Sequence, residues 1–123
     1  MREKKEKVVF FEKFKNQIFK DKRGFLKINF EINGMSFKES FSKKNVFRGL
    51  HVQVPPFTQT KFIWIEKGCV MDIALNLDKK SNTYGKIKTL KINSKSGIYK
   101  ISQNFAHGFL SLKPTKFRYI CLG

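Results

Sequence analysis

Phe25-Leu26-Lys27-Ile28-Asn29-Phe30-Glu31-Ile32 alternates apolar and polar residues from Leu26 onward, then runs into Asn33-Gly34. A period of two is the mark of a half-buried strand, with successive side chains on opposite faces. It puts Leu26, Ile28, Phe30 and Ile32 on one face and Lys27, Asn29 and Glu31 on the other. Asn-Gly supplies the positive-φ residues of a tight turn, so residues 35–41 are expected to return as the hairpin partner. Upstream, Asp21-Lys22-Arg23-Gly24 reads as a turn, and residues 1–7 as a charged, solvated tip that frays. Residues 8–19 are apolar at irregular spacing and are expected to form one or two strands, or a short helix.

Downstream the pattern repeats. Residues 46–54 read as a strand interrupted by Gly49, the sign of a bulge or close backbone approach, and ended by Pro55-Pro56. Residues 61–66 and 69–77, joined at Lys67-Gly68, are expected to form a second hairpin, its latter strand covered on both faces. Residues 86–92 set Ile87, Leu90 and Ile92 against Lys86, Lys88 and Lys91. Residues 98–101 make a short strand, and residues 109–112 and 117–120 flank a Lys113-Pro114-Thr115 turn. No segment carries a sustained helical period. Short strands at intervals of ~8–12 residues predict an all-β sandwich or barrel with little helix, and a jelly roll is the expected form.

The chain has 123 residues, 41% of them hydrophobic, with 14 phenylalanines. That is enough for one packed core, and a single domain over residues 1–123 is expected. The longest apolar runs are far shorter than the ~20 residues of a membrane span, so no membrane role is expected. The charged start has no apolar region behind it, so no signal peptide is read. Cys69 and Cys121 have neither metal-type nor disulfide-framework spacing, and a reduced, cytoplasmic setting fits. The formal charge of +17 suggests nucleic acid, but its distribution does not. Only four of the 26 cations are arginine, and the lysines are scattered rather than gathered on one arm. No nucleic-acid partner is expected; the positive field would instead concentrate a small dianionic ligand.

Both histidines, His51 and His107, sit in strand-adjacent turns rich in glycine and aromatics. Each could be a structural, hydrogen-bonded residue. His51, however, follows Arg48 by three positions and precedes Lys61 by ten. A base beside two cations can take a proton from carbon while the cations hold the resulting anion. In a regular strand Arg48 and His51 would face opposite sides unless a bulge rotates them. Lys61 opens the apolar strand Phe62-Ile63-Trp64-Ile65; it either reaches to solvent or holds an enolate or phosphate. Asp72, set between Met71 and Ile73, needs a partner, Lys61 or His107. Tyr119 is either core or a phenol able to return a proton to carbon.

In order along the chain stand Asp-x-Arg-Gly (Asp21 to Gly24), Val-Phe-Arg-Gly-Leu-His-x-Gln (Val46 to Gln53), Pro-Pro followed by Gln-x-Lys (Gln59 to Lys61), Gly-x-x-x-Asp (Gly68 to Asp72), Ser-x-Thr-Tyr-Gly-Lys (Ser81 to Lys86) and Asn-Phe-Ala-His-Gly-Phe (Asn104 to Phe109). This ordered set resembles the dTDP-4-dehydrorhamnose 3,5-epimerases, sugar-nucleotide epimerases of the cupin superfamily. The resemblance implies a cupin jelly roll (a double-stranded β-helix), a homodimer, and a nucleotide-diphospho-4-keto-6-deoxy sugar as substrate, made for surface polysaccharide or lipopolysaccharide. It implies His51 as the base, Tyr119 as the acid that reprotonates from the other face, and Lys61 as the holder of the enolate oxygen. Arg23, Arg48, Lys61 and His107 are implied as substrate contacts, with Asp72 and Gln53 in support. No cofactor is implied, because the chemistry is proton transfer. Many cupins bind a metal through a His-x-His pair, but here the second position is Gln53, and no metal is expected.

The sequence departs from the family pattern in several places. It reaches Gly123 before the aspartate that orients the base in the family. Ser36-Phe37-Lys38 stands where Gln-x-Asn is expected, Ile28 where a glutamate is expected, and Ser102 and Asn104 replace a proline and a glycine. Two other readings remain open, a 3,4-ketoisomerase that moves the carbonyl and a sugar-nucleotide-binding cupin with weakened or no turnover.

Overall fold

The computed structural model describes residues 9–55 and 57–123, so the expectations for the tip at residues 1–7 and for Pro56 lie outside the described residues. Ten strands and no helix occur among the described residues. They form two antiparallel sheets. The six-stranded sheet contains β1 (Gln17–Asp21), β2 (Gly24–Ile32), β3 (Met35–Ser42), β5 (Thr60–Lys67), β8 (Tyr99–Ile101) and β10 (Thr115–Leu122), in the order β1-β2-β3-β10-β5-β8. The four-stranded sheet contains β4 (Phe47–His51), β6 (Cys69–Asn76), β7 (Ile87–Asn93) and β9 (Phe105–Ser111), in the order β4-β9-β6-β7. From β4 onward the chain crosses between sheets at nearly every connection, which is the winding of a jelly roll.

The hairpin at Asn33-Gly34 forms as expected, but its alternation is broken. The β2–β3 register shifts between Ile28 and Phe30. Leu26 pairs with Ser40 and Ile28 with Lys38, whereas Phe30 pairs with Phe37 on the opposite face. A bulge therefore divides one apolar set between two surfaces. Phe30 and Phe37 stack on the outside of the sheet with ring centroids 6.0 Å apart, Phe14 packs against Phe30, and Trp64 against Phe37. On β3 the usual pattern is inverted: Ser36, Ser40 and Ser42 are buried on the inner face while Phe37 and Phe41 lie outside.

The hairpin expected at Lys67-Gly68 does not form. β5 pairs with β10 and β8, and β6 with β7 and β9. Gly68, at φ +108°, instead turns a corner that carries the chain from one sheet to the other. Thr115 Oγ1 accepts from the Cys69 amide at 3.1 Å just beyond that corner. Residues 9–16 form no strand, and Phe10 and Phe11 are exposed, so the expected early strand reduces to β1. β4 stops at His51, short of the prolines. In β7, Ile87 is exposed and lies on the outer face, opposite to Leu90 and Ile92, because its position in the strand is odd with respect to theirs.

Between the sheets, Ile63, Ile65, Val70, Ile92, Phe109 and Phe117 form the buried cluster. Each such side chain contributes about 1.5–3 kcal/mol by leaving water. Phe109 and Phe117 come from different sheets and stack with centroids 4.6 Å apart and planes 12° from parallel.

A Cβ at position 68 would collide with the Thr115 hydroxyl and lie 2.5 Å from the Pro114 carbonyl oxygen. Combined with the positive φ, the Gly68→Ala substitution is expected to cost at least about 2 kcal/mol, read as a lower urea midpoint with an unchanged m-value.

Candidate active site

One cavity of about 270 Å³ opens between the sheets at the end where β4 meets β9. The six-stranded sheet contributes Arg23, Leu26, Ser40, Lys61, Ile63, Phe117 and Tyr119 to its wall. The four-stranded sheet contributes Arg48, His51, His107, Gly108 and Phe109. Phe109 and Phe117 are the stacked pair, so the packed core is also the floor of the cavity.

Local geometry explains why Arg48 and His51 reach the same space. The β4–β9 register shifts between these two residues, and Gly49 lies between them at φ +109°. A Cβ there would sit 2.7 Å from the His107 carbonyl oxygen, so only glycine permits this approach of β4 to β9. The bulge turns Arg48 inward, where its Nε donates to Ser42 Oγ at 2.7 Å and its Nη2 to the Phe41 carbonyl at 3.2 Å. His51 pairs directly with His107 across the strands, so both imidazoles face the cavity.

The charged groups differ in how firmly they are held. Arg23 Nη2 donates to Asp21 Oδ2 at 2.6 Å, and the arginine's hydrogen bonds hold the Asp21 carboxyl at about 2. His107 Nε2 lies 2.8 and 2.9 Å from the two carboxylate oxygens of buried Asp72. This nitrogen carries the proton and donates it to the carboxylate, which fixes the ring. Of the two partners expected for Asp72, His107 is the one it takes. His51 makes no hydrogen bond or ion pair with a carboxylate among the described residues. Lys61 is held below the ordinary amine range, mainly by burial, with the positive charge of Lys38 acting the same way. Tyr119 is pushed up to about 12, chiefly by burial, so its phenol keeps its proton across the neutral range.

The structure thus gathers Arg23, Arg48, His51, Lys61, His107 and Tyr119 around one space. Asp72 stands behind His107 rather than on the wall, as a support. Gln53 does not join them: it is exposed in the irregular segment after β4 and is absent from the wall. β4 ends at His51, so its alternation never carries Gln53 inward. Sequence reasoning missed Ser40 and Ser42. A strand reading that sends polar residues to solvent and phenylalanines to the core places both on the wrong face, and only the inverted alternation of β3 could have flagged them.

This arrangement can hold an anion, remove a proton from one side and deliver a proton from the other. The profile of the dTDP-4-dehydrorhamnose 3,5-epimerase family matches residues 2–122. The dTDP-4-dehydrorhamnose 3,5-epimerase of Shigella flexneri is 35% identical over 112 residues, covering 80% of this chain and 61% of that protein. The crystal structure of the Sulfolobus tokodaii enzyme of the same name superposes with a TM-score of 0.66 at 36% identity, covering 84% of this chain and 65% of that one. A Legionella pneumophila dTDP-6-deoxy-D-glucose-3,5-epimerase, solved with dTDP-4-keto-L-rhamnose, gives 0.62 at 27% identity, covering 93% and 69%. The chain spans between half and two thirds of the length of the Shigella and Sulfolobus relatives.

The lowered Lys61 has a measurable consequence. Burial penalises its ammonium, so between its folded value and the ordinary 10.5 the native state binds fewer protons than the unfolded chain, and stability rises with pH. Lys61→Met is therefore expected to raise the thermal midpoint at pH 7, with an advantage over the parent that shrinks as pH climbs toward 10. Thermal melts from pH 7 to 9 check this, staying below the range where Tyr119 ionises in the unfolded chain.

Proposed function

This chain belongs to the dTDP-4-dehydrorhamnose 3,5-epimerase family, and from that premise we propose that it inverts C3, C5 or both in a nucleotide-diphospho-4-keto-6-deoxy sugar. The observation that carries the reading is that His51 and Tyr119 project from opposite sheets into one cavity, with Lys61 on the same wall as Tyr119. A ketone at C4 acidifies the hydrogens on C3 and C5. His51 removes one of them, and the electron pair moves into an enolate whose oxygen carries the charge. The Lys61 ammonium holds that oxygen, which is where a cation accelerates the step. Tyr119, still a phenol at neutral pH, gives its proton to the opposite face of the carbon, and the centre inverts.

The cavity is close to the lower end of the ~300–1,000 Å³ typical of small-molecule sites. That suits a sugar ring inside, with the diphosphate at the mouth near Arg23 and Arg48. His107, fixed by Asp72, lies beside His51 as a further sugar-side contact. A homodimer accompanies this reading, and the aromatic row Phe14, Phe30, Phe37 and Trp64 on the outer face of the six-stranded sheet offers a surface for it. A cytoplasmic supply of sugar nucleotide for surface polysaccharide is the setting proposed.

A second reading, a sugar-nucleotide binder without turnover, is favoured by one observation: His51 has no carboxylate partner among the described residues. Incubation with the 4-keto sugar nucleotide in heavy water separates the two. Deuterium at C3 or C5 with an inverted centre supports the epimerase; no incorporation, with ligand still bound, supports the binder; a migrated carbonyl in the product spectrum points to a ketoisomerase. Tyr119→Phe is expected to lower inversion by about 10²–10⁴-fold while solvent deuterium still enters from the His51 side. His51→Gln is expected to abolish both.

A further inference from the structure

We propose that Ser40 is the residue that reads the sugar of the bound nucleotide, through a hydrogen bond to a ring oxygen. This deepens the sugar-nucleotide reading and rests on it. Ser40 lies mid-strand in β3 with only 2% of its surface exposed, and its Oγ is buried without a hydrogen-bond partner. It lines the cavity. A buried hydroxyl left unpaired is destabilising, and such groups call for an explanation. The space Ser40 adjoins is the cavity.

The surroundings show which part of a ligand Ser40 meets. Its register partners on either side are Leu26 and Phe117, and Phe117 is stacked on Phe109, so the hydroxyl sits in an apolar floor. Two residues further along the same face, Ser42 accepts from Arg48 and is satisfied within the protein. In the other direction Lys38 pairs with Tyr119, which places Ser40 diagonal to the proposed acid. Arg23 is tied to Asp21, Arg48 to Ser42 and the Phe41 carbonyl, and His107 to Asp72. Ser40 is a neutral polar group of the wall with none of these ties, and unlike the Tyr119 phenol its hydroxyl is fully buried. A neutral donor in an apolar floor matches an uncharged sugar oxygen better than a diphosphate, which the cations at the mouth attract. An empty hydroxyl also discriminates: a ligand that presents oxygen there relieves the unpaired group, and one that presents carbon leaves it buried and unpaired.

The test compares dTDP-D-xylose, which has no ketone and is not turned over, with dTDP alone, by calorimetry on the full chain and its Ser40→Ala variant. We expect the variant to bind dTDP-D-xylose about tenfold more weakly, the size of one hydrogen bond to a buried group, and dTDP within twofold of the parent. The thermal midpoint without ligand should be unchanged or higher, because the hydroxyl bonds nothing in the free protein. Equal weakening of both ligands, no weakening of either, or a lower midpoint without ligand would each overturn the assignment. A parent protein that binds neither ligand overturns the sugar-nucleotide reading itself. One that binds both equally overturns only the role of Ser40.

Discussion

The stacked rings of Phe109 and Phe117, one from each sheet and 4.6 Å apart, hold the structure together and leave it half hollow. With Ile63, Ile65, Val70 and Ile92 they make up the buried cluster between the sheets. The cavity adjoins this pair, where β3 turns serines inward and phenylalanines outward. A large apolar residue at position 40 would take up space in the cavity. The core and the site are therefore two sides of one contact, and the site inherits the rigidity of the core.

Within the hollow, the side chains fall into those fixed by a partner and those left to act. Asp21 fixes Arg23, Ser42 fixes Arg48, and Asp72 fixes His107. Burial works oppositely on the two groups of the six-stranded wall, easing the ammonium of Lys61 toward its neutral form and keeping the phenol of Tyr119 protonated. A cation that prefers to shed its charge gains from an enolate oxygen beside it, and a phenol that keeps its proton remains an acid. His51 faces them from β4, on a bulge that exists because Gly49 fits against the His107 carbonyl.

The all-β class and the jelly-roll form were legible from alternation and turn chemistry, and the hairpin at Asn33-Gly34 from a single dipeptide. The true partners of β5 and β6 were not. Lys67-Gly68 has the composition of a hairpin turn, but the same glycine serves a corner between sheets, and local sequence carries no signal for which strand lies alongside. The bulge at Asn29 was equally silent, since a perfect alternation gives no sign that one residue is unpaired. Among the site residues, Arg23, Arg48, His51, Lys61, His107 and Tyr119 were reached through motifs, and they converge on one cavity. Gln53 came from the same motif but falls past the end of β4. Ser40 belonged to no motif singled out, and its burial against alternation is visible only when the strands are paired.

The central claim is spatial: one ring carbon of a keto sugar lies between the His51 imidazole and the Tyr119 phenol. A crystal structure with a bound sugar nucleotide tests it most directly. The account predicts the sugar ring inside the cavity, its C4 oxygen within hydrogen-bond reach of Lys61 Nζ, and C3 or C5 flanked by His51 on one face and Tyr119 on the other. A ligand whose sugar lies outside the cavity, or with both side chains on the same face of the ring, would contradict it.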